Sequence, residues 1–181
     1  MENKNFINNI KVLTTASLLA AMSVVIGILC KTLLNFGNGL FRITFENLPI
    51  ILSGIFFGPA VGAMVGFVSD LISYLLSFQS YPLNIVVTIG AASIGLVSGI
   101  VSKYLIKKEG LTKVVAAVLI SHLIGSVIIK SVGLFYYYGW AVLFRIPTYL
   151  LIGACEAALI WFLYNKTAFR RLIDEARKER V

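Results

Sequence analysis

Charged residues are scarce in this 181-residue chain, because Asp, Glu, Lys and Arg together make up only 13% of it. Soluble domains normally carry about 25% charged residues. Hydrophobic residues make up 59% of the chain, and its mean hydropathy is +0.91. This balance excludes a soluble globular enzyme, a disordered chain and a large cytosolic domain. It indicates a compact polytopic membrane protein.

Residues that usually build reactive sites are also few. The two cysteines, Cys30 and Cys155, both lie in apolar runs, which favours neither a disulfide framework nor a zinc site. The single histidine, His122, excludes an HExxH pair and a multi-histidine metal site. No GxxxxGKS/T loop and no GxSxG motif occurs, so ATP hydrolysis through a P-loop is excluded. We therefore expect no catalytic residue, no metal site and no cofactor.

Long apolar runs take up most of the chain, and one membrane span needs roughly 20 residues. The run 48–78 is too long for one straight span, and Gly58-Pro59 predicts a tight hairpin at Phe57–Ala60. The Gly/Asn-rich stretch 35–42 predicts a loop, and the aromatic stretch 136–140 is typical of a connector at a membrane interface. We predict an all-α protein with six transmembrane helices, in segments 10–34, 48–57, 60–78, 83–106, 114–135 and 145–165.

The domain organisation follows from these segments. Residues 1–165 are predicted to form a single six-helix membrane domain, and residues 166–181 a basic amphipathic tail along the membrane surface. The first apolar stretch is too long for the apolar part of a signal peptide, so we expect no cleaved leader.

The 16 Lys and Arg residues outnumber the 8 Asp and Glu residues, and their positions predict the topology. Twelve lie in the N-terminus, the connector 103–113 and the tail: Lys4, Lys11, Lys103, Lys107, Lys108, Lys113, Lys166, Arg170, Arg171, Arg177, Lys178 and Arg180. Lys31, Arg42, Lys130 and Arg145 lie on the opposite side. Since cytoplasmic loops carry the excess of Lys and Arg, both termini are predicted to be cytoplasmic.

The four outer cations are candidates for binding an anion. Arg145 stands just before Pro147, which suits the start of a helix, and the positive N-terminal end of a helix favours a carboxylate. Aromatic residues surround these cations in the sequence and suit a flat ring that carries negative groups. The alternative is an aromatic belt with snorkelling cations. The nearby aromatics are Phe41, Tyr81, Tyr136, Tyr137, Tyr138 and Trp140.

Ionisable residues inside a membrane usually face a cavity or one another. Asp70 could accept hydrogen bonds from a ligand, or it could hold a nearby Lys, Ser or Tyr in place. His122 and Glu156 fall at similar depth and favour a mutual structural pair over a ligand site.

Small residues spaced by four let helices approach closely in lipid. The pairs Gly54/Gly58, Gly62/Gly66 and Gly95/Gly99 favour packing inside this bundle. Ala16 and Ala20 in the first helix are equally suited to packing inside the bundle and to a face for a partner.

The stretch Phe41–Leu71, FRITFENLPIILSGIFFGPAVGAMVGFVSDL, resembles the S component, the substrate-binding subunit, of energy-coupling factor (ECF) vitamin transporters, most closely the folate family. The Ala16/Ala20 pair and Arg145-Ile-Pro147 also match motifs of this family. The length and the six-helix layout agree with it over about residues 10–165. The resemblance implies a high-affinity vitamin-binding subunit in a prokaryotic plasma membrane. It also implies partners, which are one transmembrane coupling subunit and two ABC ATPases.

The resemblance also implies roles for individual residues. Arg42, Asp70 and Arg145 would line the vitamin site, and Ala16 and Ala20 would face the coupling subunit. Geometry and chemistry add further candidate vitamin-binding residues, which are Asn47, Tyr81, Asn84, Lys130 and Trp140.

Three other functions remain open. The same scaffold could bind another vitamin or precursor, such as pantothenate or thiamine, although a cationic ligand would require more acidic outer residues than Glu46. An autonomous carrier or channel would require paired intramembrane acids or a repeated architecture, and neither occurs in the sequence. An intramembrane enzyme would depend on Asp70, His122 and Glu156.

Overall fold

The first helix and the turn after it begin the bundle. The computed structural model describes residues 10–36, 41–76, 84–106 and 110–166. Helix α1 spans Ile10–Leu33. The strands β1 (Asn35–Phe36) and β2 (Phe41–Arg42) follow and pair antiparallel, with Asn35 opposite Arg42. The described part of the predicted loop 35–42 therefore contains a two-residue strand pair, where no regular structure was expected.

The predicted hairpin in the second apolar run is confirmed. Helix α2 spans Asn47–Phe57, and helix α3 spans Pro59–Leu76. Gly58 separates them with a φ of +93°, and its N–H donates to the carbonyl of Gly54 at 3.0 Å. A residue with a side chain rarely adopts such a φ, and the proline that follows cannot continue the hydrogen bonding of α2.

Helix α4 spans Ile85–Ile100 and continues as a π-helical segment over Val101–Leu105. Asn84 caps its start, because its side chain accepts from the backbone N–H groups of Val86 and Val87. Asn is among the preferred residues for satisfying the free N–H groups of a first turn.

The last third of the described chain is almost continuously helical. Helix α5 spans Leu111–Ser121, a π-helical segment covers His122–Lys130, and α6 spans Ser131–Tyr138. A 3₁₀ segment at Gly139–Phe144 leads into α7, Arg145–Asn165. The predicted connector 136–140 is thus helical as far as Tyr138, and the predicted start of the last helix at Arg145 is confirmed. Helix α7 packs back against α5.

Within the described residues, four helical stretches are long and apolar enough to cross a membrane: Ile10–Leu33, Pro59–Leu76, Ile85–Leu105 and Leu111–Asn165. The number differs from the six predicted helices for two reasons. Helix α2 has only 11 residues, and α5 to α7 are joined by helical turns into one 55-residue stretch. Large apolar side chains such as Leu18, Leu75 and Leu151 are exposed on the outside of the bundle, as expected for a lipid-facing surface.

Glycines hold α4 tightly against α2 and α3. A Cβ on Gly95 would collide with the backbone of Gly62, and a Cβ on Gly54 would collide with the side chain of Ser98. A Cβ on Gly99 would meet the backbone of Pro59. The predicted packing inside the bundle is therefore confirmed for Gly54, Gly62, Gly66, Gly95 and Gly99, whereas a Cβ on Gly58 would meet no atom within 4 Å, because that glycine forms the turn.

Candidate functional site

One end of the bundle collects buried polar side chains from several helices. It is the end where α1 and α3 finish and where α2, α4 and α7 begin. Helix termini leave backbone groups unsatisfied, so polar side chains are useful there. The described residues of this end that are buried and polar or charged are Ser23, Thr44, Asn47, Ser69, Ser73, Thr88, Lys130 and Arg145.

Lys130 is the buried cation of a small polar cavity. Its Nζ donates to Asn47 Oδ1 at 3.2 Å and lies 3.7 Å from Glu46 Oε1. The side chains of Lys130 and Glu46 are only 7% and 16% exposed. Burying an ammonium group without a partner costs several kcal/mol, and these two contacts compensate for the burial of Lys130. The structure thus brings together two of the predicted site residues, Asn47 and Lys130.

Gly90 of α4 makes room for Lys130. A Cβ on Gly90 would lie 2.6 Å from Lys130 Cγ, which is closer than real Cβ contacts. The aliphatic part of the lysine therefore crosses α4 where that helix has no side chain. Sequence reasoning did not identify Gly90, because an isolated glycine in an apolar helix gives no sign of which side chain will cross it.

Glu46 and Asn47 reach Lys130 because α2 is short. At 1.5 Å per residue its 11 residues rise only about 16 Å, roughly half of a bilayer core. The segment before α2 must therefore enter the bundle. Ser23 of α1 holds it by donating from Oγ to the carbonyl of Glu46 at 2.6 Å.

Asp70 lies on the wall of the same cavity, on α3. Its Oδ2 accepts a hydrogen bond from Thr88 Oγ1 of α4 at 2.7 Å. The carboxylate is half-buried, and Thr88 is its one hydrogen-bond partner among the described residues. This geometry allows Asp70 to serve as a structural contact and still to accept from a ligand N–H group with its other lone pairs.

Asn84 is used within the protein. Its Oδ1 caps α4, and its Nδ2 donates to the carbonyl of Gly133 at 2.6 Å, which ties α4 to α6. The signal for this role was present in the sequence, since an Asn before an apolar helical run is a common N-cap pattern. The expectation that Asn84 binds substrate is less favoured by this geometry.

Arg145 stands at the first position of α7 and is only 6% exposed. Its guanidinium carbon lies 4.5 Å from the centre of the Tyr138 ring, a cation–π distance. Strand β2, which contains Arg42, lies against α7, although the Arg42 side chain is outside the described part. Pro147 falls in the first turn of α7, as its sequence position predicted.

The aromatic residues divide between the surface and the site. Trp140 is 76% exposed and meets Phe135 edge to face, with ring centres 5.6 Å apart. Tyr136 is also exposed. Within the described residues these two rings lie on the outer surface, whereas Tyr138 covers Arg145. Tyr81 lies outside the described residues.

The polar cavity between these side chains has a volume of about 10 Å³, enough for roughly one water molecule. This cavity by itself is too small for a vitamin. The cavity is lined by Ser23, Glu46, Asn47, Ile50, Ser69, Asp70, Ser73, Ala91 and Lys130.

A much larger space of about 490 Å³ is an apolar groove between α1 and α3. Ala16 and Ala20 line it, together with the exposed Ser17 and the bulky Met64 and Ile72. The two alanines are only 8% and 7% exposed. A partner helix would therefore contact them only by entering this α1–α3 groove.

His122 and Glu156 form the predicted pair, which is confirmed. His122 Nε2 lies 2.6 Å from Glu156 Oε2, and Ser126 Oγ lies 3.2 Å from His122 Nδ1. All three residues are buried. The pair joins the π-helical segment that carries Lys130 to α7. Among the described residues, no group of three His, Cys, Asp or Glu side chains could hold a metal ion.

Apolar membrane-crossing helices with buried cations at one end define an integral membrane protein suited to binding a polar solute. The model of the family described as "ECF transporter, substrate-specific component" matches residues 11–170. The chain therefore belongs to the substrate-specific components of ECF transporters. The crystal structure of FolT bound with folic acid is similar in fold, with a TM-score of 0.65 and 22% identity over 86% of this chain and 93% of FolT. No curated protein matches.

Proposed function

We propose that this chain is the high-affinity folate-binding subunit of an ECF-type importer. The observation that carries the proposal is the pair of buried cations, Lys130 and Arg145, at one end of an S-component fold. Folate has two carboxylates on its glutamate portion and two flat ring systems, which suits cations beside an aromatic side chain. The similarity in fold to FolT, which was crystallised with folic acid, supports the same ligand.

In this proposal Arg145 and one other cation, Lys130 or Arg42, hold the two glutamate carboxylates. Arginine can grip a carboxylate through two parallel hydrogen bonds. Asp70 is the better candidate for the pterin edge, because both polar groups of Asn84 already have protein partners. Tyr81 and Trp140 would flank the rings once the end of the bundle has opened around the ligand.

The proposed topology has six membrane crossings with both termini in the cytoplasm of a prokaryotic cell. Most of the cations then lie on the cytoplasmic side, in keeping with the positive-inside rule. The end that carries Lys130 and Arg145 faces the exterior and receives the vitamin. A transmembrane coupling subunit and two ABC ATPases, which would hydrolyse ATP, complete the importer. The α1–α3 groove at Ala16 and Ala20 is the proposed docking face for the coupling subunit.

The test is to purify the chain in detergent and identify the small molecule that accompanies it by mass spectrometry. Folic acid binding is then measured by isothermal titration calorimetry. We expect one folate per chain and no uptake by vesicles that contain this chain alone. Co-purified pantothenate or thiamine would replace folate as the substrate, and uptake by the chain alone would contradict the S-component mechanism.

A further inference from the structure

The ring of Tyr138 covers one side of the Arg145 guanidinium group. The guanidinium carbon lies over the face of the ring, 4.5 Å from its centre. Arg145 is buried, whereas the lysines of the two other cation–π contacts among the described residues, Lys103 and Lys166, are exposed. A cation–π contact contributes more where the cation is removed from water. The contact between Tyr138 and Arg145 should therefore be the strongest of the three.

This arrangement differs from an aromatic belt with snorkelling cations. In such a belt the charged head of the cation reaches water, and the aromatic rings lie at the level of the lipid headgroups. Arg145 is only 6% exposed and Tyr138 is half-buried, while the rings of Tyr136 and Trp140 are exposed. Tyr138 is thus the aromatic residue of the stretch 136–140 that contacts the buried cation.

The backbone keeps Tyr138 close to Arg145. Tyr138 is the last residue of α6, and Gly139 follows with a φ of +53°, which residues with a side chain rarely adopt. The N–H of Gly139 donates to the carbonyl of Phe135. The six residues of the 3₁₀ segment Gly139–Phe144 then rise about 12 Å to the start of α7. The two side chains therefore come from helices whose ends are joined by a short segment, which limits how far they can move apart.

The contact leaves the hydrogen-bonding groups of Arg145 usable. An aromatic face attracts a cation through its charge and needs none of the N–H groups, so these can still form two parallel hydrogen bonds to a carboxylate. The face of the ring carries negative partial charge and repels an anion. A ligand carboxylate must therefore approach Arg145 from a side that the ring leaves open. Arg145 makes other interactions as well, so loss of the ring should reorient the guanidinium group without freeing it.

We propose that Tyr138 is a positioning residue, whose ring holds the Arg145 guanidinium group in the orientation that binds a carboxylate of the substrate. This inference rests on the proposed vitamin-binding function and adds a residue that acts through Arg145. Such a residue contributes to affinity only while Arg145 is present. A tyrosine that stacked directly on the rings of the vitamin would contribute in either case.

The first experiment is a double-mutant cycle, measured by calorimetric titration of the full chain in detergent with folic acid. Tyr138→Leu should weaken binding about tenfold, and Tyr138→Phe, which keeps the ring, should bind like the wild type. In the Arg145→Ala background, Tyr138→Leu should weaken binding no further, because the two residues act as a unit. Tyr136→Leu, which makes the same change at an exposed position of α6, is the matched control.

Three outcomes of this cycle would overturn the inference. They are unchanged affinity in Tyr138→Leu, an equal loss from Tyr138→Leu with and without Arg145, and a Tyr138→Phe chain that binds as weakly as Tyr138→Leu. The second outcome would mean that Tyr138 contacts the vitamin directly, and the third that its hydroxyl group is needed rather than its ring.

The second experiment does not depend on the vitamin. Arginines of the same variants are modified with phenylglyoxal, and the rate at each arginine is followed by mass spectrometry. Tyr138→Leu should raise the rate at Arg145 several-fold relative to Arg180 near the C-terminus, while Tyr138→Phe and Tyr136→Leu should leave it unchanged. An unchanged rate at Arg145 in Tyr138→Leu contradicts the inference. A wild-type chain that binds no folic acid contradicts the proposed function instead, and the modification rates still decide whether Tyr138 holds Arg145.

Discussion

At the scale of single residues, Arg145 gives the most direct test of the anion site. Arg145→Ala should weaken folic acid binding at least about tenfold, because a hydrogen bond to a charged group contributes about 1.5–3 kcal/mol. Arg145→Lys keeps the charge but loses the bidentate grip, so it should recover only part of the affinity. Calorimetric titration measures both. Phe144→Ala, which alters the exposed neighbouring residue, is the matched control. Unchanged affinity in a folded Arg145→Ala chain would remove Arg145 from the site.

The buried pair of His122 and Glu156 should affect stability rather than specificity. Breaking a buried pair by removing one partner costs about 3–5 kcal/mol, because the other group stays buried without compensation. Glu156→Ala and His122→Ala should therefore both lower the midpoint of thermal unfolding in detergent. In the double variant this midpoint should fall by less than the sum of the decreases in the two single variants, since the interaction between the two side chains can be lost only once. Additive losses would show that the pair is not coupled.

Single residues were predictable from the sequence where their chemistry restricts their position. A lone histidine and a lone glutamate at similar depth in apolar helices have few partners other than each other, so His122 and Glu156 could be paired from the sequence. The contact between Asn47 and Lys130 could not be derived, because it depends on how far the short helix α2 lets the chain enter the bundle. Trp140 was placed in the site by residue type alone, whereas its ring is exposed at the surface.

At the scale of helices, the packing of α4 against the π-helical segment His122–Lys130 positions Lys130, the lysine of the candidate site. Gly90→Ala should displace Lys130, since the new Cβ would lie 2.6 Å from its Cγ. The new Cβ would also lie 3.0 Å from the backbone carbonyl oxygen of Gly125, so thermal stability is measured together with folic acid binding, which should weaken about tenfold, the equivalent of one lost charge-assisted contact. Gly95→Ala is the contrasting variant, because its Cβ meets the backbone of Gly62 and should lower thermal stability. If Gly90→Ala kept full affinity, Lys130 would not contact the ligand.

Helix boundaries could be predicted where a residue forces them. Gly58 and Pro59 end one helix and begin another whatever surrounds them, and Arg145 with Pro147 has the pattern of a helix start. The π-helical segment His122–Lys130 has no such marker, because wide turns and ordinary α-helical turns share the same apolar pattern. Wide turns of this kind often occur at functional sites, and this one ends at Lys130, a candidate site residue.

At the scale of the whole molecule, the distribution of charge and of empty space separates two candidate functional surfaces of the bundle. Lys130 and Arg145 are buried at one end, whereas the α1–α3 groove is apolar and runs along the side. Composition predicted a membrane protein, and the positions of the lysines and arginines predicted its orientation. The groove could not be predicted, because it depends on how α1 packs against α3. The end proposed to bind the solute and the groove proposed to bind a partner helix can therefore be altered independently.

Docking of the coupling subunit should depend on the groove and not on the vitamin site. Ala16→Trp should fill the groove and abolish assembly with the coupling subunit and the ATPases, while folic acid binding is retained. Ser17→Trp fills the same groove from an exposed position and tests the idea if Ala16→Trp does not fold. Leu18→Trp, on an exposed face of α1 outside the groove, is the matched control and should assemble normally. Assembly is measured by co-purification, and a groove-filled variant that binds vitamin, assembles and transports would show that the coupling subunit docks elsewhere.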